Sequence, residues 1–181
     1  MKARQSNSVR IIGGVFRSRL LHFPDLPGLR PTPDRVRETL FNWLGQDLSG
    51  WTCLDAFAGS GALGFEAASR GAGRVLMLER DARVAAALRR HAQALPAPAV
   101  DIRQLDALQW LAGEGERFDL ILLDPPFAQD QLDLALRHAA TRLNAGGKIY
   151  AESARSLDPE GFAVLRRGRA GLSHFCLLEP V

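Results

Sequence analysis

From Trp51 onward, short continuous apolar runs alternate with stretches of helical periodicity, and few architectures accommodate that alternation. TCLDAF, RVLMLE, AVDIRQ, FDLILLD and GKIYAES predict strands, and ALGFEAASRG, DARVAAALRRHAQAL, DALQWLA and QDQLDLALRHAATRL predict helices between them. Strands that are apolar along their whole length must be covered on both faces, which calls for a mostly parallel, doubly wound α/β sheet. Two later runs, FAVLRR and HFCLLE, joined through RGRAGLS, predict an antiparallel pair that closes the sheet. A chain of 181 residues with 46% hydrophobic content can bury one such core, with only a small appendage besides.

That appendage is N-terminal. VRIIGGVFRSRLLHF predicts a β-hairpin turning at Gly13-Gly14, with Arg17 and Arg19 on one face of its second strand. After the turn-rich Pro24 to Pro31, Thr32 predicts an N-cap with Pro33 at the first helical position. The helix then carries Val36, Leu40, Trp43 and Leu44 on one stripe and ends at Gly45. The expected division is an extension over residues 1–45 and an α/β domain over 46–181.

Charge is unevenly spread. Residues 1–40 hold eight basic and three acidic side chains, a net +5, and the rest holds 15 and 17, a net −2. A basic arm on a near-neutral body suits a polyanionic partner, or an ordinary solvated tail. No run approaches the ~18 apolar residues of a membrane span. MKARQSNSVRIIGG lacks the apolar stretch of a secretory signal. Cys53 and Cys176 lie in apolar, strand-like runs, so no disulfide is expected and a reducing cytoplasm fits. His22, His91, His138 and His174 are scattered and predict no metal site.

The chemistry concentrates where strands end. In LDAFAGSGALGFEAA, Asp55 and Phe57 close the first strand of the domain and Gly59, Gly61 and Gly64 follow at G-x-G-x-x-G spacing. Small residues there let the backbone turn sharply and approach a ligand at the next helix's N-terminus. A dinucleotide site, an adenosylmethionine site and a plain tight turn all fit this loop. Glu79 ends the second strand and can accept from both hydroxyls of a ribose. Asp81 already serves as the following helix cap, so no structural role is evident for Glu79. Asp106 can bind an adenine amino group, cap DALQWLA, or do both.

The most specific element is ILLDPPF. Two prolines cannot continue a central strand, and they stiffen the backbone beyond the sheet's carboxyl edge. Asp124 and the Pro125 carbonyl become fixed acceptors, Pro126 completes the rigid turn, and Phe127 offers an aromatic face. Those groups can grip an exocyclic amine and stack its ring. Acceptors on an aromatic amine's hydrogens favour a pyramidal nitrogen and stabilise the positive charge that grows as it attacks. A sulfonium methyl is already activated, so positioning supplies most of what remains, and an unstacked base suits the site.

Taken in order, RIIGG, RPTPDRVRETLFNWL, LDAFAGSGALGFEAASRGA and LDPPF resemble the RsmD family of 16S rRNA guanine-N2 methyltransferases over nearly the whole chain. The resemblance implies a Rossmann-like class I methyltransferase with an N-terminal hairpin and helix extension, using S-adenosylmethionine to methylate the 2-amino group of a guanine. It implies Phe57, Gly59 and Gly61 around the cofactor's methionine part, Glu79 at its ribose and Asp106 at its adenine. Thr32, Asp55, Ser60, Arg80 and Ala107 complete the expected cofactor set. Asp124, Pro125, Pro126 and Phe127 would form the amine site, with Arg10, Arg17, Arg19 and Arg30 on RNA. The expected partner is 16S rRNA in an assembling or assembled small subunit, met by a cytoplasmic monomer without membrane contact. The closing hairpin RAGLSHFCLLEP follows the family pattern only loosely.

Three other functions compete. Adenine-N6 methylation of DNA or another RNA could use Asp-Pro-Pro-Phe, but the chain has no added domain large enough for DNA target recognition. An NAD-dependent oxidoreductase leaves Asp-Pro-Pro-Phe unused. A non-enzymatic RNA-binding or assembly factor leaves the whole cofactor loop unexplained.

Overall fold

The computed structural model describes residues 7–126 and 129–181, so Phe127, Lys2 and Arg4 lie outside the described residues. Strands β3 (Thr52–Asp55), β4 (Arg74–Leu78), β5 (Val100–Arg103), β6 (Phe118–Leu123), β7 (Leu143–Ser153), β8 (Phe162–Ala170) and β9 (Ser173–Pro180) form one sheet. The order is β5-β4-β3-β6-β7-β9-β8. The first five strands in this order are parallel, and β9 and β8 close the edge antiparallel.

Side-chain alternation along these strands sorts the core into two layers. Leu120 and Leu122 of β6 pack on the side holding α1 (Asp34–Trp43), α2 (Ala62–Ser69) and α3 (Ala82–Ala94). Ile121 and Leu123 pack on the side holding α4 (Ala107–Ala112) and α5 (Gln129–Ala140). Burial on both faces is why the strand sequences are continuously apolar. Val9, Ile11 and Leu21 of the extension join the first layer. Among the described residues no helix is long and apolar enough to cross a membrane.

The extension departs from its sequence-based outline. Strands β1 (Asn7–Arg10) and β2 (Leu20–Phe23) pair with Arg10 opposite Leu20, leaving residues 11–19 as a loop instead of a two-residue turn. Backbone donors in the middle of the loop go to α2: Val15 N–H to the Ser69 carbonyl (2.8 Å) and Phe16 N–H to Ser69 Oγ (2.9 Å). Ile11 N–H still reaches the Arg19 carbonyl (2.9 Å) and Ser18 N–H the Ile11 carbonyl (2.8 Å), but the chain committed to α2 beyond them does not pair across the hairpin. Gly14 has φ 75°, and a Cβ there would lie 1.9 Å from the Ser69 carbonyl oxygen. The glycine therefore serves close approach. Arg17 and Arg19 precede β2 and do not alternate along it.

Helix α1 begins at Asp34 with Pro33 in the cap position and no side-chain cap, so Thr32 stands one residue outside the predicted role. Val36, Leu40 and Leu44 are buried, and the Trp43 ring packs 5.4 Å from that of Phe175 on β9. The closing pair is longer than predicted, because β8 and β9 extend until only Gly171 and Leu172 join them. At the start of β7, three extra residues separate the pairs Phe118↔Leu143 and Leu120↔Lys148, accommodating Gly146 at φ 74°.

Gly14→Ala and Gly146→Ala separate strain from crowding. Both place alanine at positive φ, at about 1–2 kcal/mol, but a Cβ at Gly146 meets nothing within 4 Å. Chemical denaturation should show only that loss at Gly146, and roughly 3 kcal/mol or more at Gly14 because the arm must leave Ser69. Equal losses would mean that the contact with α2 is loose.

Candidate active site

The carboxyl ends of β3 to β7 bring together Asp55, Glu79, Asp106, Asp124 and Glu152, residues spread over about a hundred positions of sequence. Strand order reverses between β3 and β6, and ligands of open α/β sheets bind at that crevice. Asp55, the last residue of β3, is 2% exposed and accepts from the Gly64 N–H (2.9 Å). It holds the start of α2 from beneath. Gly61 sits at φ 83°, where a Cβ would come within 2.7 Å of Leu88 and Phe65. Ser60 Oγ accepts from Ala62 N–H (3.3 Å), shaping the same loop.

Glu79 has a structural role that its sequence did not disclose. Its carboxylate accepts from Gly59 N–H (3.1 Å) and Asp81 N–H (2.8 Å), clasping the glycine loop to the end of β4. It remains half-buried, and each oxygen keeps a further lone pair. Asp81 caps α3 through the Arg83 and Val84 N–H groups, as its sequence position indicates. Asp106 caps α4 by accepting from Gln109 N–H (3.0 Å), with its second oxygen free to accept elsewhere. An adenosine-bearing cofactor fits this donor set: small residues where backbone must come close, and half-exposed carboxylates where ribose hydroxyls and an amine need acceptors.

Asp124 leaves β6 next to Pro125 and Pro126. The Thr32 hydroxyl donates to its Oδ2 (3.4 Å), so the loop before α1 reaches the strand's end. Burial pushes the Asp124 carboxyl up to about 8. The charges of Glu152 and Asp55 add to this shift, and the Thr32 bond opposes it. Burial likewise raises Asp55 to about 7, opposed by the Gly64 bond and helped by Glu79. Proximity of acidic groups at a partly buried sheet edge is thus the site's electrostatic signature.

Thr32 owes its place to Arg37, which is fully buried although it counts among the arm's positive charges. Its Nε donates to the Thr32 carbonyl (3.0 Å), and Nη1 donates to the Arg10 carbonyl (2.9 Å) and to Glu66 Oε2 (3.1 Å). Asp34 takes its Nη2. Glu66, fully buried on α2, also accepts from Ile12 N–H (3.0 Å), Gly13 N–H (2.8 Å) and Arg70 Nε (3.1 Å). The one sequence signal for this cluster is a lone glutamate in the otherwise small and apolar ALGFEAAS.

The remaining predicted residues divide by exposure. Gly59 and Phe57 are half-buried at the loop, while Ala107 is buried at the first turn of α4. Arg80 is exposed beside the loop. Arg10, Arg17, Arg19 and Arg30 are all exposed. Arg10 donates to the Ser18 carbonyl (3.2 Å) and Arg19 to the Ala94 carbonyl (3.4 Å). Phe127 lies outside the described residues. Glu152 and Tyr150, with Ser173 beside them, were not anticipated from sequence. Pairing of β7 with β6 brings the first two to the crevice.

A family model described as Conserved hypothetical protein 95 matches residues 9–179. Ribosomal RNA small subunit methyltransferase D of Escherichia coli (strain K12) is 46% identical over 128 residues. That stretch is 71% of this chain and 65% of the relative, just under two thirds of the relative's length. The protein of the same name from Haemophilus influenzae is 39% identical over 183 aligned positions, spanning 94% of this chain and 93% of that one. The solved structure of the Escherichia coli protein yhhF superimposes with a TM-score of 0.87 at 35% identity, covering 96% of this chain and 98% of that one.

The raised Asp124 pKa carries a stability prediction of definite sign. A carboxyl whose folded value lies near 8, against about 4 unfolded, contributes stability that is present at low pH and lost as pH rises through 8. Asp124→Asn cannot ionise, so its melting temperature should match the parent near pH 4 and exceed it progressively up to pH 8.5. A pH-independent difference would mean that Asp124 is not held in a charge-averse position.

Proposed function

The chain belongs to the Conserved hypothetical protein 95 family, and on that premise we propose that it transfers a methyl group from S-adenosylmethionine to the exocyclic N2 amine of a guanine in 16S rRNA. The observation that carries this reading is Asp124. It stands at the carboxyl edge of β6, stiffened by Pro125 and Pro126, within hydrogen-bonding reach of Thr32 and one crevice from the glycine loop. The names of the curated relatives support the rRNA substrate.

When bound, S-adenosylmethionine supplies an activated sulfonium methyl. Residues 57 to 61 would take its amino-acid part against the loop backbone, Glu79 would accept from the ribose hydroxyls and Asp106 from the adenine amine. Thr32, Arg80 and Ala107 would border it, and Asp55 acts from beneath the loop. Asp124 and the Pro125 carbonyl accept the two hydrogens of the guanine amine, directing the nitrogen lone pair away from both acceptors. As the amine attacks, positive charge grows on nitrogen, and the ionised form of Asp124, which a cationic sulfonium beside it favours, stabilises that charge. The methylated ammonium is acidic and loses its proton without a strong base. Phe127 supplies the stacking face.

Residues 1–45 form the RNA-contacting extension and 46–181 the catalytic domain. Arg10, Arg17, Arg19 and Arg30 meet phosphates, and their exposure supports this. The substrate is the small subunit during or after assembly, because so small an arm gains from a preassembled surface. The protein acts as a monomer in the cytoplasm, where its substrate is made; one chain supplies every group of the site.

Transfer of radiolabelled methyl to small subunits lacking the modification, followed by nucleoside analysis, should yield N2-methylguanosine; label in N6-methyladenosine, or none, would contradict the reading. Asp124→Ala should lower transfer by at least ~10²-fold while S-adenosylmethionine affinity stays within a few-fold. Near-parental transfer would remove Asp124 from the amine site. Arg17→Ala combined with Arg19→Ala should flatten the salt dependence of RNA binding by up to about two phosphate contacts. An unchanged slope would mean that the arm does not touch the RNA backbone.

A further inference from the structure

The strand pairing places a second carboxylate beside Asp124. Leu122 pairs with Tyr150 and Leu123 with Ala151, so Asp124 and Glu152 are the next residues in register at the carboxyl edge. In-register residues of parallel neighbours share a face, and this one continues from Leu122 and Tyr150 toward α1. The Glu152 charge is the strongest that the Asp124 carboxyl feels, ahead of that of Asp55.

Glu152 is held in place. The Tyr150 hydroxyl donates to Oε2 (2.9 Å), and Ser173 Oγ donates to Oε1. Tyr150 is fully buried and its ring lies against Phe175, so the phenol is a fixed post beneath the carboxylate. Each Glu152 oxygen retains lone-pair capacity, and the side chain is only half-buried. An orienting pair of hydroxyls under a half-open acceptor suits a group that must meet a ligand donor in one direction.

Guanine offers such a donor. Beside the N2 amine its Watson–Crick edge carries N1–H, whereas adenine carries an unprotonated N1 beside its amine. We propose that Glu152 is the base-selecting residue of this site, accepting guanine N1–H while Asp124 and the Pro125 carbonyl take the amine. The inference rests on the guanine-N2 reading above. Discrimination comes from both arms: guanine pairs N1–H with a carboxylate, and any purine with a bare N1 brings its lone pair against a negative oxygen. A site built around a substrate hydrogen bond rejects an analogue lacking it far more strongly than a shape-based pocket does.

2-Aminopurine tests this directly, because it keeps the amine and lacks the N1 hydrogen. Transfer is measured on small-subunit RNA carrying guanine or 2-aminopurine at the position the parent protein methylates, for the parent, Glu152→Gln and Glu152→Ala. The parent should prefer guanine by at least ~10²-fold in kcat/KM. Glu152→Gln, whose amide can donate to a bare N1, should bring the preference below ~10-fold, and Glu152→Ala should fall between. The missing 2-aminopurine oxygen affects all three proteins alike, so the change in preference isolates N1, and general loss of structure would not change it. Unaltered preference in both variants, with guanine still methylated, would overturn the role of Glu152 and leave the function standing. No N2-methylguanosine from the parent on guanine RNA would overturn both.

Discussion

The structure turns on the buried carboxylate of Glu66 and the two arginines that flank it. A lone buried charge is severely destabilising, and an ion pair offsets its desolvation only when every remaining donor and acceptor is satisfied. Here they are. Glu66 takes Ile12, Gly13, Arg37 and Arg70, and Arg37 gives its other hydrogens to Arg10, Thr32 and Asp34. The Arg70 guanidinium also lies 4.7 Å from the centre of the Phe41 ring on α1. One cluster thereby ties the arm, the loop before α1 and the helix that follows the glycine loop. Removing Glu66 or Arg37 leaves the other buried and unmatched, so the cluster couples the extension to the chain that leads into the site.

The sheet supplies the other half of the design. Parallel strands deliver all their carboxyl ends to one edge, and five of them deliver an acidic residue there or just beyond. These groups divide the work according to their partners. Asp55 is spent on the Gly64 N–H, and Asp106 caps a helix with one oxygen. Glu79 clasps the loop with two backbone bonds yet stays half-open. Asp124 and Glu152 receive hydroxyl donors from among the described residues, and hydroxyls can turn or yield when stronger donors arrive. The electrostatic strain of crowding carboxyls is concentrated on Asp124, the group proposed to meet a growing positive charge.

Most of this frame was legible in the sequence because burial on both faces writes itself as uninterrupted apolar runs, and turn chemistry marks where they stop. Pro125 and Pro126 fixed the end of β6, and Asp81 fixed the start of α3. The N-terminal hairpin forms where the sequence predicts it, but without a turn at Gly13-Gly14, for a definite reason. Gly13-Gly14 reads equally well as a turn or as a close-approach site, and only the position of Ser69 decides between them. Thr32 looked like a cap, but its carbonyl and hydroxyl are claimed by Arg37 and Asp124, partners five and 92 residues away. Glu152 and Tyr150 were invisible because nothing local reveals which residues of β7 face those of β6.

The coupling through Glu66 can be measured by following amide hydrogen exchange at Ile12 and Gly13 together with the initial rate of methyl transfer in Arg37→Met. If the cluster joins arm and site, exchange at both amides accelerates in the variant while amides of β4 stay protected, and the transfer rate falls in step. If both amides keep their protection while transfer falls, or lose it while transfer is unchanged, the arm and the amine site are independent and the coupling through Glu66 is wrong.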